Sequence, residues 1–336
     1  MSTNGDAAVE VVPVRHVGQW FAMGFVALLI AMFVHTLFSK IPSGARSCHL
    51  IDGRNQCHAI LKWRFGWNLI FHYFTNGGIL RGLVVTLELT ALAMLVGIVL
   101  GVVVAIMRLS HNRLMSGVAW TYTWLFRGTP VYVQLLLWGF IAFLYPTFAI
   151  GIPFTHIYLF QFGANSVFIP FNAAVAGLGL NEGAYFSEIV RSGLIAVDEG
   201  QTEAAISLGM TRAQTLRSVV LPQAMRVIIP PTGNEVISML KTTSLVVAVA
   251  VVDLLGAVDN IIGQNYQPMP MLLLASIWYL IVSTILSIGQ FYLERHFAKG
   301  ALRTPPLTPI QRIRQDIRGI ATKYRTKRGV QKGATT

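Results

Sequence analysis

The chain has 336 residues, 54% of them hydrophobic and only 12% charged, with a net charge of +12. Soluble domains carry roughly 25% charged residues, and the apolar runs here exceed what a soluble core requires, which excludes an ordinary water-soluble enzyme. A bilayer core about 30 Å thick needs about 20 apolar residues per helical crossing, and the runs lack the alternation of barrel strands, so the spans are helices.

Residues 1–15 form a polar lead with one Arg and two acids, and the apolar run after it is too long for a cleaved signal peptide. A first span is predicted over 20–38. Residues 39–80 are polar and aromatic, with Trp63, Phe65, Trp67, Phe71, His72 and Tyr73 clustered, a pattern of headgroup-level residues that predicts an interfacial helix. Cys48 and Cys57 fall in this stretch. They form a disulfide if the segment faces an oxidising compartment, and otherwise are two unrelated thiols.

The second span covers 82–107 and holds one acid, Glu88. Such an acid either binds a solute's amino group or snorkels to the interface beside Arg81. Gly97 and Gly101 form a Gly-x-x-x-Gly pair that predicts close helix packing. Residues 116–126 read as interfacial, and 130–150 as a third span that Pro130 opens at a position where its missing N–H costs nothing. Residues 151–170, with Pro153 and Pro170, read as an external loop or re-entrant piece.

The element at 171–193 is undecided by hydropathy, because Glu182, Glu188 and Arg191 each cost about 2.5–3.5 kcal/mol at a bilayer centre. Residues 194–233 are polar and too charged to insert. A span at 236–258 carries Lys241 near its start, and a last span covers 271–293. Asn234, Ser238, Thr242, Thr243 and Ser244 recur along one helix, where they either line a pathway or make interhelical hydrogen bonds worth about 0.6 kcal/mol each.

Eleven of the 26 Lys and Arg follow Tyr292, opposed only by Glu294 and Asp316. Such a tail suits a membrane surface better than nucleic acid, and it places the C-terminus in the cytoplasm. The 194–233 loop, two spans earlier, then lies in the cytoplasm as well. Six spans put the N-terminus inside and the cysteines outside; five spans invert both. The local count of basic residues (Lys40, Arg46, Arg54, Lys62, Arg64 and Arg81 against Arg15, Arg108, Arg113 and Arg127) leans towards five.

The most informative stretch runs from Gln201 through Glu203, Ala204, Ala205 and Gly209 to Leu221 and Pro222. It reads as helix, break, helix: Gly209 permits a sharp turn, Thr211 caps a second helix over 212–220, and Pro222 ends it. A compact hairpin of this kind presents small residues and a carboxylate to a groove on another protein. Glu203 itself is either that hairpin's ion-pair partner or a solvated acid in a first helical turn.

The order Glu-Ala-Ala, three residues, Gly, nine residues, aliphatic, one residue, Leu-Pro resembles the EAA loop of ABC importer permeases, with Val219 where the family more often has Ile. Arg127-Gly-Thr-Pro130 with Gln134, Gly183-Ala-Tyr185 with Glu188 and Arg191, Gly200-Gln201, and Lys241-Thr-Thr-Ser-Leu245 resemble the polar amino acid permeases of the histidine/glutamine/arginine type. The resemblance spans about 82–293 and leaves the first 80 residues and the tail outside it.

The resemblance implies an all-α membrane bundle of about six spanning helices: a five-helix permease core that includes 171–193, plus one N-terminal helix. A Glu188–Arg191 pair on one helical face lowers the cost of inserting that element. The domains expected are 1–80 (lead, extra helix, external loop), 81–293 (permease, with the coupling loop at 194–233) and 294–336 (basic cytoplasmic tail). The implied function is translocation of polar amino acids across a bacterial inner membrane, with both termini cytoplasmic. The implied partners are ABC ATPase subunits docked on Gln201, Glu203, Ala204, Ala205, Gly209, Leu221 and Pro222, an extracytoplasmic solute-binding protein, a second copy or paralogous permease, and membrane lipid, but no nucleic acid. The chain has no Gly-x-x-x-x-Gly-Lys-Ser/Thr loop, so ATP is expected on the partner, with no cofactor or metal bound directly and no enzymatic activity of its own. The pathway candidates are Glu88, Gln134, Glu188, Asn234, Ser238, Thr242 and Ser244. The rival reading, an ion-coupled secondary transporter, requires coupling carboxylates and an inverted repeat; no such repeat is visible.

Overall fold

The computed structural model describes residues 17–51, 54–151 and 158–297. The polar lead and the basic tail beyond Phe297 lie outside the described residues. Two compact units are present: the described residues of Met1–Asn76 with Ile261–Leu274, and those of Gly77–Asn260 with Ala275–Thr336.

In the first unit, helix α1 (Val17–Leu37) is followed by antiparallel strands β1 (Lys40–Ile51) and β2 (Arg54–Trp63) and a short helix α2 (Trp67–Tyr73). The Trp67 indole N–H donates to the Leu37 carbonyl at 2.8 Å, and its ring stacks on Phe38 at 5.4 Å, tying α2 back to the end of α1. The interfacial helix expected across 39–80 is therefore confined to α2, and most of that stretch is a hairpin. The ladder sets the Cys48 and Cys57 backbones opposite one another; their side chains lie outside the described residues.

The second unit is built on α3 (Gly77–Arg108), which runs against α7 (Pro170–Ile195). Without a hydrophobic driving force between helices in lipid, close packing depends on small residues. Gly101 meets that need, since a Cβ there would stand 2.8 Å from that of Phe186. Between them come α4 (Arg113–Gly128), α5 (Val131–Leu144), a two-stranded hairpin of β3 (Thr147–Gly151) and β4 (Tyr158–Gly163), and the short α6 (Ala164–Val167). The chain bends by 105° between α4 and α5. The third span thus ends at Leu144 rather than 150, and part of the expected loop is strand.

Helix α8 (Glu199–Ser207) and helix α9 (Arg212–Thr215) form the predicted hairpin. Asp198 accepts from the Gly200 N–H at 2.7 Å to cap α8, Gly209 turns the chain with φ of 79°, and Thr211 with Gln214 makes a reciprocal capping box. Pro222 does not end the second helix. A π-helical turn, Leu216–Val220, leads directly into α10 (Leu221–Thr242), and Pro222 sits where the wider turn passes into the α-helix. Helix α10 begins 15 residues before the span expected at 236, and Pro230 and Pro231 lie within it.

The continuous span expected over 236–258 is broken. A 3₁₀ segment, Thr243–Val249, ends at Ala250 in the left-handed conformation, and α11 (Leu254–Asn265) starts anew. Asp253 explains the restart. Its buried carboxylate accepts from the Gly256 N–H at 2.9 Å and from the Tyr279 hydroxyl at 3.2 Å, while the Leu254 N–H donates to Thr86 on α3 at 3.0 Å. Backbone groups freed by a break in a membrane helix need such partners.

The last helix is α12 (Pro268–Phe297). Helices α3 and α12 are each long and apolar enough to cross a membrane alone, and two bent pairs bring the total to four by length and composition. Helix α7 has a crossing's length, 26 residues; of its charges Glu182 is buried, and the half-buried Glu188 and Arg191 pair with each other.

Candidate functional site

Two features stand out, a polar cavity inside the second unit and the α8–α9 hairpin. The cavity, about 550 Å³, lies where the α4–α5 turn, α7 and α10 meet. The turn Arg127-Gly-Thr-Pro130 forms one wall; Asn181, Glu182 and Tyr185 of α7 form another; Glu235, Ser238 and Thr242 of α10 close it. A groove of similar size, about 590 Å³, runs along α4 and α5, but apart from Thr129 and Gln134 its lining is apolar, which suits lipid tails rather than a polar solute.

The turn is held by two side chains. Gln134 Nε2 donates to the carbonyls of Phe126 (2.9 Å) and Thr129 (3.1 Å) and to the Thr129 hydroxyl (2.7 Å). Asn181 Nδ2 donates in turn to Gln134 Oε1 at 3.1 Å and to the Phe126 carbonyl at 3.0 Å, binding α7 to the same turn. The Arg127 guanidinium sits 5.2 Å over the Tyr185 ring, a cation–π placement that keeps it at the cavity wall.

Glu182 is only 4% exposed, and its Oε1 has no hydrogen-bond partner among the described residues. Leaving a buried acceptor unsatisfied costs about 1–3 kcal/mol or more, and no described residue supplies the donor. Gly97 makes room for it: a Cβ on Gly97 would collide with the Glu182 side chain. Two carboxyls, Glu182 and Glu235, thus face a cavity that holds a single guanidinium.

The residues singled out from sequence are distributed unevenly around this cavity. Ser238 and Thr242 line it. Gln134 is buried and acts on the turn rather than on the contents. Glu188 faces away and pairs with Arg191 at 2.7 Å and Arg108 at 3.6 Å, so the pair expected on α7 forms with a third member. Asn234 accepts from Gln290 Nε2 at 3.1 Å, Ser244 lines a separate groove with Lys241, and Glu88 lies exposed on α3. Sequence reasoning missed Arg127, Asn181, Glu182, Tyr185 and Glu235 as wall residues. The signal available was the pair of acids in membrane-length helices, which hydropathy counts only as a cost.

On the hairpin, Ala205 is buried while Gln201, Glu203, Ala204 and Gly209 are exposed, as are Leu221 and Pro222 at the start of α10. Beside them Ile206 is 52% and Leu208 84% exposed. An uncovered carboxylate flanked by bare aliphatic side chains on a rigid, doubly capped knob has the make-up of a protein-docking surface.

Residues 97–299 match the family described as "Binding-protein-dependent transport system inner membrane component". The Arginine transport system permease protein ArgU of Corynebacterium glutamicum is 45% identical over 304 residues, covering 90% of this chain and 87% of that protein. The Histidine/lysine/arginine/ornithine transport system permease protein HisM of Escherichia coli is 36% identical over 214 residues, 63% of this chain and 86% of that one. Among solved structures, a chain from the crystal structure of an amino acid ABC transporter with histidines aligns with a TM-score of 0.57 at 34% identity, covering 68% of this chain and 97% of that chain.

Proposed function

The chain belongs to the inner membrane components of binding-protein-dependent transport systems, and we propose that the polar amino acid it carries is a basic one, held between Glu182 and Glu235. It is the membrane-embedded permease subunit of an ATP-binding-cassette importer and not itself an enzyme. The observation that carries the cargo assignment is the cavity's carboxyl pair, one oxygen of which is buried without a partner among the described residues. A cargo with a cationic side chain and an α-ammonium supplies donors to both acids, while the Arg127 guanidinium is placed for its carboxylate. The relatives named for arginine and for histidine, lysine, arginine and ornithine transport agree with this chemistry.

In this reading the α8–α9 hairpin, with Gln201, Glu203, Ala204, Ala205 and Gly209, docks in a groove on a separate ATPase subunit. The π-helical turn links it to Leu221 and Pro222 at the start of α10. Because α10 also carries Glu235, Ser238 and Thr242, displacement of the hairpin is passed to the cavity wall along one helix. Nucleotide drives the cycle only through a difference in its affinity for the two access states. An extracytoplasmic binding protein delivers the cargo, and two permease subunits, copies or paralogues, enclose the route. The hairpin and both chain ends face the cytoplasm. Asn234, Ser244, Glu88 and Glu188 serve packing, the interface or the arginine cluster rather than the cargo.

Uptake of labelled Arg, His, Gln, Glu and cystine into cells lacking the gene and complemented with it tests the assignment. Arginine is expected to enter fastest and to be displaced by other cations. Preferential uptake of glutamate or cystine contradicts it. The cysteines give a check on topology: we propose that Cys48 and Cys57 are joined across the β1–β2 ladder outside the cytoplasm. Both are expected to resist a membrane-impermeant maleimide until a reductant is added; labelling of untreated cells at either site sinks the proposal.

A further inference from the structure

We infer that the β3–β4 hairpin is a lipid anchor, lying in the headgroup boundary of the bilayer beyond the end of α5. The first observation is compositional. From 128 to 181, 54 consecutive residues contain no Asp, Glu, Lys or Arg, although this run includes the whole connection between two membrane helices. A connection bathed in water gains nothing from excluding every charge.

The second is exposure. Tyr158, Leu159, Phe160 and Phe162 of β4 are all uncovered, with Leu159 and Phe160 at 72% and 73%. Successive strand residues point to opposite faces, so Leu159 and Phe160 leave both faces of the ribbon apolar. A hairpin that docked on one protein partner would need only one such face, and a docking surface used intermittently carries a polar rim. Among the described residues of β4, the exposed side chains on both faces are apolar or aromatic except Gln161.

The third is the mounting. Phe148 of β3 stacks on its cross-strand neighbour Phe162 at 5.9 Å and packs on Phe168 at 5.7 Å, and Phe168 stacks on Trp138 of α5 at 6.0 Å. The Ala164 N–H closes the base by donating to the Pro146 carbonyl at 2.8 Å. This aromatic chain fixes the ribbon to the end of a spanning helix. Depth follows from the backbone: a two-stranded ribbon has two open edges, which hydrocarbon does not tolerate, whereas aromatic side chains favour the interface. The ribbon therefore sits roughly 5–10 Å into the headgroup and acyl boundary, as interfacial segments do.

Collision measurements on the full transporter in liposomes test this. With Cys48 and Cys57 replaced by serine, a nitroxide is placed on Leu159→Cys or on Phe160→Cys and relaxed by oxygen or by a water-soluble nickel chelate. Oxygen is expected to dominate at both sites by about threefold or more, as at other interfacial residues, whether or not the binding protein is added. Nickel collisions equal to or above oxygen at either site overturn the proposal, including the case in which the binding protein then shields the label. The unaltered chain gives a second reading. A diazirine-bearing phospholipid is expected to leave adducts within 158–162; labelling of the α12 surface at Leu280 with none on the ribbon contradicts the anchor.

Discussion

Replacing Glu182 with glutamine is expected to cut uptake of a basic amino acid by about thirtyfold or more while leaving the permease assembled with its ATPase. The carboxyl is buried, and one oxygen is without a partner among the described residues. A unit charge about 4 Å away interacts with it by roughly 4 kcal/mol at an effective dielectric of 20. Removing one member of such a desolvated pair costs about 2–5 kcal/mol, and each 1.4 kcal/mol is a factor of about ten in binding. Glutamine keeps the size and a hydrogen-bonding group, so the α3–α7 packing over Gly97 is retained. Glu235→Gln is expected to act in the same direction but less strongly, because that side chain is only half-buried. Gly97→Val reaches the same end by another route: its side chain would occupy the space of Glu182 and displace the carboxyl. Transport kinetics of the three variants in proteoliposomes check the ordering. Unchanged arginine uptake by Glu182→Gln removes the carboxyl from the cargo site.

The second large effect belongs to the hairpin. Glu203→Lys is expected to reduce co-purification of the ATPase by about a hundredfold, the scale on which reversing a buried interface charge acts. The fold gives no other reason for a loss. Glu203 is exposed on α8, and surface substitutions of this kind stay within about 0.5 kcal/mol of wild-type stability. The caps at Asp198 and Thr211 and the turn at Gly209 are untouched. A Glu203→Lys chain that still retains its ATPase makes Glu203 a solvated acid and moves the docking contact elsewhere on the knob.

Local signals carried the parts of the architecture that local chemistry decides. The cap at Thr211, the turn at Gly209 and the Glu188–Arg191 pair depend on neighbours within four residues, and each forms as its spacing implies. The β1–β2 hairpin has a sequence signal in Asp52-Gly53, a strong two-residue hairpin pair between its strands, but the aromatic cluster just after it is the louder pattern and points to an interfacial helix. The break at Ala250 was hidden for a different reason. The run around it is apolar, and the new start at α11 depends on Asp253 accepting from Tyr279 and on the Leu254 N–H reaching Thr86, contacts that exist only after α3 and α12 pack. The cavity was hidden in the same way. Its walls come from three elements, and Gln134, read as a lining residue, spends its amide on the turn that presents Arg127. Hydropathy gives Glu182 only a penalty; that it packs against Gly97 and lines a cavity follows from tertiary contacts alone.

Arginine accumulation by the purified permease, reconstituted with its ATPase and with binding protein supplied on the opposite side, tests the central claim most directly. ATP is expected to drive labelled arginine across the bilayer in the wild type, while the Glu203→Lys permease, incorporated to the same level, moves none. Accumulation that proceeds without the ATPase, or that is indifferent to the hairpin, contradicts a permease worked from outside through α8, α9 and α10.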